Sequence, residues 1–253
     1  MMLQRLYSIY AMIVFIVLFL IFFVLLLIPV AFPAKFRWIG IINRIWARVT
    51  FAAWFMRIRL VVRAPLDRSR QYIFCPNHFS YLDVPAMALN PYDAIFVGKH
   101  DMEKIPLFGF MYRKLHITVD RSRLRSRYAT FLRCAEALDQ GKSLVIFPEG
   151  GIISRDGSTL ARFKDGPFRL AAEKGIPIVP VTIPDNYRLM PGSPLTFRPG
   201  VLELIFHEPV AAEGNDDASI DKLRQQVHQT VSNELQNVRQ RRNPEKDSAL
   251  IPA

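Results

Sequence analysis

Between Arg5 and Lys35 the chain carries no charged side chain. From Ala11 to Phe32 all 22 residues are apolar, and 18 of them are Leu, Ile, Phe or Val. At roughly −0.4 kcal/mol each on an insertion scale, those side chains favour a bilayer interior by about 7 kcal/mol. About 20 such residues cross a bilayer core. No small-residue cleavage site follows, which argues against a secretory signal peptide. The run is apolar on every face, whereas a helix of a soluble domain shows one apolar stripe. The expectation is a membrane helix, and the rest of the chain has to fold beside a bilayer.

The segment from Phe36 to Arg59 has another character. It holds all three tryptophans, Trp38, Trp46 and Trp54. Arg37, Arg44 and Arg48 are spaced 7 and 4 apart and share one stripe of a helix. Tryptophan and arginine on one amphipathic helix predict an element lying in the membrane interface. Seven Lys/Arg follow the apolar run between Lys35 and Arg63, while only Arg5 precedes it. That bias predicts location at the cell membrane with the remainder of the chain on the cytoplasmic side. A hairpin dipping into one leaflet gives the same sidedness.

Charge narrows the partners. The net charge is +11. Residues 1–66 hold eight basic side chains and no acid, while the remaining 187 balance 25 basic against 22 acidic. A nucleic-acid binder carries its excess on the folded domain. Here the excess sits beside the apolar segment, so the expected partner is an anionic membrane surface and not nucleic acid. Cys75 and Cys134 are far apart in sequence and form no CxxC, which fits a reducing compartment better than a disulfide framework.

Beyond residue 57, short β-rich runs occur at Arg59–Val62, Tyr72–Cys75, Ala94–Val97, His116–Val119, Ser143–Phe147, Ile178–Ile183 and Leu202–Phe206. Helical patterns fall at Tyr81–Leu89, Leu124–Leu138, Gly166–Lys174 and Asp217–Arg242. Alternating strands and helices predict an α/β fold, a mixed and largely parallel sheet flanked by helices. The predicted organisation is a membrane anchor over 1–57, an α/β domain over 58–242 and a disordered tail over 243–253.

There is no G-x-S-x-G, P-loop, G-x-G-x-x-G or H-E-x-x-H, and the five histidines show no metal-ligand spacing. What stands out is Asn77-His78-Phe79-Ser80-Tyr81-Leu82-Asp83, directly after a predicted strand. On one continuous helix His78 and Asp83 point about 140° apart. With His78 in the turn and a helix starting near Ser80, the carboxylate folds back onto the imidazole and orients it. The other reading of Asp83 is a helix cap, because Ser80-x-x-Asp83 resembles a capping box. Phe147-Pro148-Glu149-Gly150 places a carboxylate on a tight turn at another strand end.

Together, N-H-x4-D and a later F-P-E-G resemble the glycerolipid acyltransferase family, most of all the 1-acyl-sn-glycerol-3-phosphate acyltransferase type. Val97-Gly98-Lys99, Pro106 to Gly109, Thr118 to Arg121 and Ile178 to Val181 resemble further blocks of that family in the same order. The resemblance covers about residues 58–210. Many members continue F-P-E-G with Thr-Arg-Ser, whereas this chain reads Gly151-Ile152-Ile153-Ser154, and Arg155 is the nearest arginine. This departure leaves the acceptor's head group open.

The resemblance implies transfer of a fatty acyl group from acyl-CoA or acyl-carrier protein to a membrane lipid acceptor, in the simplest case the sn-2 hydroxyl of lysophosphatidic acid. It implies His78 as general base with Asp83 as its orienter. Asn77, Lys99, Arg121, Glu149 and Gly150 then bind substrate. Arg121 is first choice for the acceptor phosphate and Lys99 second. Glu149 holds a glycerol hydroxyl or a basic neighbour. No metal or bound cofactor is needed, since a thioester already carries a good leaving group. Competing readings are transfer to glycerol-3-phosphate or a lyso-aminolipid, thioester hydrolysis, and a non-catalytic lipid-binding scaffold.

Overall fold

The structure is a computed structural model and describes residues 2–32, 38–120, 124–191 and 196–242. Arg121, Lys35, Arg37 and the tail 243–253 lie outside the described residues. The strands are β1 (Arg57–Val62), β2 (Ile73–Pro76), β3 (Ala94–Lys99), β4 (Ile117–Val119), β5 (Ser143–Ile146), β6 (Ile178–Thr182) and β7 (Val201–Phe206). They form one sheet in the order β1-β7-β6-β2-β5-β3-β4. Every neighbouring pair is parallel except β6 with β7. This is the mixed, mostly parallel α/β fold expected.

Strands buried on both faces read as continuous apolar runs, and β2 and β6 are buried at every position. Alternate residues supply opposite cores. Phe74, Phe96, Val145 and Val179 join one, with Phe51, Trp54 and Phe206. Ile73, Cys75, Ile95, Leu144 and Ile178 join the other. On the first face lie α1 (Met2–Ala31), α2 (Trp38–Ala53), α3 (Asp83–Met87) and α4 (Phe108–Leu115). On the second lie α5 (Leu124–Asp139), α6 (Gly166–Lys174) and α8 (Asp217–Arg242). A short helix, α7 (Asn186–Leu189), follows β6.

The N-terminal elements add detail to the expected anchor. Helix α1 begins at Met2, more than two turns before the apolar run, and is about 45 Å long. One side of it packs along α2 and α4 instead of standing free. Tyr7 donates to Trp54 O at 2.5 Å, Trp54 Nε1 donates to Ala11 O at 2.9 Å, and the Phe197 amide donates to Ser8 Oγ at 3.0 Å. Phe15 contacts Trp46 and Trp54, and Phe19 contacts Phe108. Helix α2 ends at Ala53, and β1, expected from Arg59, starts two residues earlier at Arg57. Arg44 does not face lipid: it pairs with Asp93 at 2.8 Å, and Gly40 allows that approach because a Cβ there would collide with Asp93.

The outward side of this layer is apolar. Ile9, Ile13, Ile16, Leu20, Val24 and Leu27 of α1 are exposed, as are Trp38, Ile41, Ile45 and Val49 on one stripe of α2. An apolar surface of that extent marks a membrane or partner contact.

Candidate active site

Chain connections decide where a cleft opens. From β2 the chain crosses to β3 on one side, and from β5 it crosses to β6 on the other. In open α/β sheets ligands bind outside the carboxyl ends of strands at such a reversal. The loops leaving β2 and β5 carry the two sequence motifs.

In the loop after β2, His78 Nδ1 lies 3.0 Å from Asp83 Oδ2. The same oxygen accepts the backbone N–H groups of Phe79 and Ser80, each at 2.8 Å. One oxygen thus meets the imidazole and two backbone donors at once, while the N-cap of α3, Leu82, has no side-chain cap hydrogen bond. Ser80 does not complete the box: its hydroxyl donates to Met190 O at 2.7 Å. Asp83 is fully buried, and its Oδ1 has no partner among the described residues. The His78 side chain keeps 12% of its surface exposed. Its ring stacks on Phe147, with centroids 4.1 Å apart, so its plane as well as its tilt is fixed.

In the loop after β5, the Gly150 amide donates to Phe147 O at 3.1 Å and closes the turn. Gly150 sits at φ +84°, a conformation that needs glycine. Glu149 is turned inward and is 2% exposed. Its Oε1 accepts the His78 backbone N–H at 2.6 Å, and its Oε2 accepts Ala161 N–H at 3.1 Å. It is a strut that ties the β5 loop to the β2 loop. Burial pushes its carboxyl up to about 7, against the two N–H donors and with some help from the Asp83 charge.

Asn77, grouped above with the substrate-binding residues, is also turned inward. Its amide donates to Ile183 O at 2.9 Å and its carbonyl accepts Ile183 N–H at 2.7 Å, so it clasps the end of β2 to the end of β6. Lys99 ends β3, two strand spacings or about 10 Å across the sheet from β2. Its exposed ammonium pairs with Asp101. The structure thus brings His78, Asp83 and Glu149 together, places Lys99 on the same edge, and leaves Arg121 outside the described residues. Burial lowers His116 and His207 to about 4, so neither takes up a proton near neutrality.

A family model described as acyltransferase matches residues 57–184. The chain belongs to the acyltransferase family. Both motifs fall inside that range. A 1-acyl-sn-glycerol-3-phosphate acyltransferase of Chlamydomonas reinhardtii is 29% identical over 197 residues, covering 77% of this chain and 58% of its own. A chloroplastic 1-acyl-sn-glycerol-3-phosphate acyltransferase of Brassica napus is 30% identical, covering 63% and 46%. A lyso-ornithine lipid O-acyltransferase of Rhizobium meliloti is 31% identical, covering 54% and 44%. The chain spans about half the length of the curated relatives it matches. The crystal structure of the 1-acyl-sn-glycerophosphate (LPA) acyltransferase PlsC from Thermotoga maritima superposes with a TM-score of 0.77 at 23% identity, over 94% of this chain and 97% of that one. That likeness is one of fold.

Three groups of this acyltransferase site escape sequence reasoning. Phe147 stands in the F-P-E-G motif, yet nothing in the motif says that its ring backs the imidazole. The Ala161 amide lies 12 residues beyond Glu149, on a loop with no periodicity. The clasp of Asn77 joins residues 106 apart, which no local pattern encodes.

Proposed function

We propose that this acyltransferase moves a fatty acyl group from acyl-CoA or acyl-carrier protein to the sn-2 hydroxyl of lysophosphatidic acid. The observation that carries the reading is the His78–Asp83 pair, 3.0 Å apart at a strand end, on an imidazole that still reaches solvent. With Nδ1 donating to Asp83, Nε2 is the nitrogen that takes a proton. A lipid hydroxyl is a poor nucleophile, and an imidazole near neutrality removes its proton as the oxygen attacks the thioester carbonyl. Asp83 stabilises the imidazolium that forms. Collapse of the tetrahedral intermediate breaks the carbon–sulfur bond, and the proton on Nε2 passes to the departing thiolate. The ester bond that forms and the thioester bond that breaks leave no acyl-enzyme to resolve.

Glu149 in this reading holds both loops in register rather than touching the glycerol. Lys99, at the end of β3, and Arg121, which lies outside the described residues, are the proposed phosphate contacts. Lys99→Ala should then raise the apparent KM for a phosphate-bearing acceptor more than for the donor. The enzyme works at the cell membrane, with its catalytic face towards the cytoplasm, where thioester donors are found.

The relative that acts on a lyso-ornithine lipid, and the Gly151–Ile153 departure, favour a second acceptor class, the lyso-aminolipids. Acceptor profiling with one labelled donor separates them. The proposal expects label in phosphatidic acid. Label only in an aminolipid would leave the chemistry standing and replace the acceptor, and donor consumption without any acceptor would make the protein a hydrolase.

A further inference from the structure

After β3 the chain makes a 3₁₀ turn over His100–Lys104 and enters α4 at Phe108. Between them Lys104, Ile105, Pro106 and Leu107 are four consecutive exposed residues. Ile105 and Leu107 are each about 45% exposed, and Phe110, on the outward side of α4, is 40% exposed. Leu107 sits at φ +62°, a region costly for a branched side chain. The turn is held there by its neighbours. The Gly109 amide donates to Ile105 O at 2.7 Å, and Gly109 lies so close to the Glu103 backbone that no Cβ would fit. The fold thus accepts strain to keep an apolar side chain pointing outward, where water gives it no return.

The setting identifies what covers it. Phe108 packs on Phe19 of α1, with ring centroids 6.0 Å apart. Met111 and Leu115 of α4 cluster with Phe23, Leu26 and Val30 of α1. The exposed tip is therefore carried by an element packed on α1, whose outer surface is apolar. Exposed cations flank it, two of them paired with acids of the preceding turn: Lys104 with Asp101 at 3.1 Å and Arg113 with Glu103 at 3.9 Å. Lys104 precedes the tip, and Arg113 and Lys114 follow Phe110 by three and four residues, which puts them one helical turn behind it on the same outward side. An apolar tip with basic side chains one turn back is the pattern of an interfacial element, whose cations reach phosphates while its apolar end lies below them.

We propose that Ile105, Pro106, Leu107 and Phe110 form a second membrane contact, separate from the N-terminal helices, that enters the head-group layer of an anionic bilayer while Lys104, Arg113 and Lys114 meet lipid phosphates. An acidic protein partner would use the cations but would not cover the apolar tip or the apolar outer surface of α1. The inference needs α1 to lie in lipid and does not depend on the acyl-transfer reading.

The test uses the full chain on mixed phosphatidylcholine and phosphatidylglycerol vesicles, with an environment-sensitive fluorophore on one introduced cysteine. Cys75 and Cys134 are buried, and burial raises the Cys134 thiol to about 12, so neither competes for the label. Leu107→Cys and Phe110→Cys report on the tip, exposed Ile13→Cys on α1, and exposed Glu173→Cys on α6. Nitroxide on lipid chains should quench the labels at 107, 110 and 13. Aqueous iodide should quench the label at 173 several-fold more strongly than those three. A label at 107 or 110 that is as open to iodide as the one at 173, while the label at 13 responds to nitroxide, would overturn the proposal. A label at 13 that ignores nitroxide would overturn its premise and the proposal with it.

Discussion

His78 is fixed by three independent contacts: Asp83 on its Nδ1, Phe147 against its ring, and Glu149 on its backbone N–H. Asp83→Asn separates orientation from charge. The amide oxygen still caps Phe79 and Ser80, so thermal melting should move little. Turnover should fall by about 10²–10⁴, as for loss of a positioned acid–base function. A role limited to capping predicts turnover kept in Asp83→Asn, with a loss of about 0.5–2 kcal/mol in stability only in Asp83→Ala. Glu149 gives a pH test whose sign follows from its shift. Its carboxyl is raised from 4.5 to about 7 by burial, so the folded state holds a proton that the unfolded state has released. The contribution is full below pH 4.5 and is lost as pH rises to about 7, on the order of 3 kcal/mol. In melts across pH 4.5 to 8, the stability of the wild type relative to Glu149→Gln should fall with rising pH over that window. A constant difference would mean that Glu149 is ionised throughout.

At the scale of elements, α1 is part of the sandwich as much as it is an anchor. Trp54 is fully buried between α1 and the sheet and gives its indole N–H to Ala11 O. Trp54→Phe should cost about 1 kcal/mol for the lost hydrogen bond, and Trp54→Ala about 3–5 kcal/mol for the cavity, both read from thermal melting in detergent. Deleting residues 1–34 should then destabilise the domain itself, because it uncovers Ala47, Phe51 and Trp54. A truncated chain that melts with the full chain would show that α1 is packed only loosely. The seven strands were legible because central strands are short apolar runs bounded by turn residues, and all seven fall within two residues of expectation. Helix α4 was not legible. Its sequence, FGFMYRKL, places Phe108, Met111, Tyr112 and Leu115 on one stripe, but over only two turns and with an early glycine, too short a pattern to stand out, and its packing against α1 decides its state. The docking of α1 was hidden for the opposite reason: a segment apolar on every face does not say which face meets protein. Of the site, the His78–Asp83 meeting could be read from motif and turn logic. The inward turns of Glu149 and Asn77 could not, since both partners come from distant strands.

The whole molecule is a three-layer sandwich with one outer layer made for lipid. Its basic excess lies at the N-terminal end, its apolar surface runs over α1 and α2, and its catalytic candidates stand at one end of the sheet. That arrangement suits the proposed meeting of a lipid hydroxyl and a water-borne thioester at one imidazole. The central claim is that His78 transfers the proton in that meeting. The direct measurement is the initial rate of labelled acyl transfer from acyl-CoA, and from acyl-carrier protein, to vesicle-borne lysophosphatidic acid, by full-length wild type and by His78→Ala at equal membrane-bound amounts. The account predicts labelled phosphatidic acid from the wild type and a rate about 10²–10⁴ lower for the variant, with melting unchanged. A folded, membrane-bound His78→Ala protein that transfers acyl groups at the wild-type rate would contradict it.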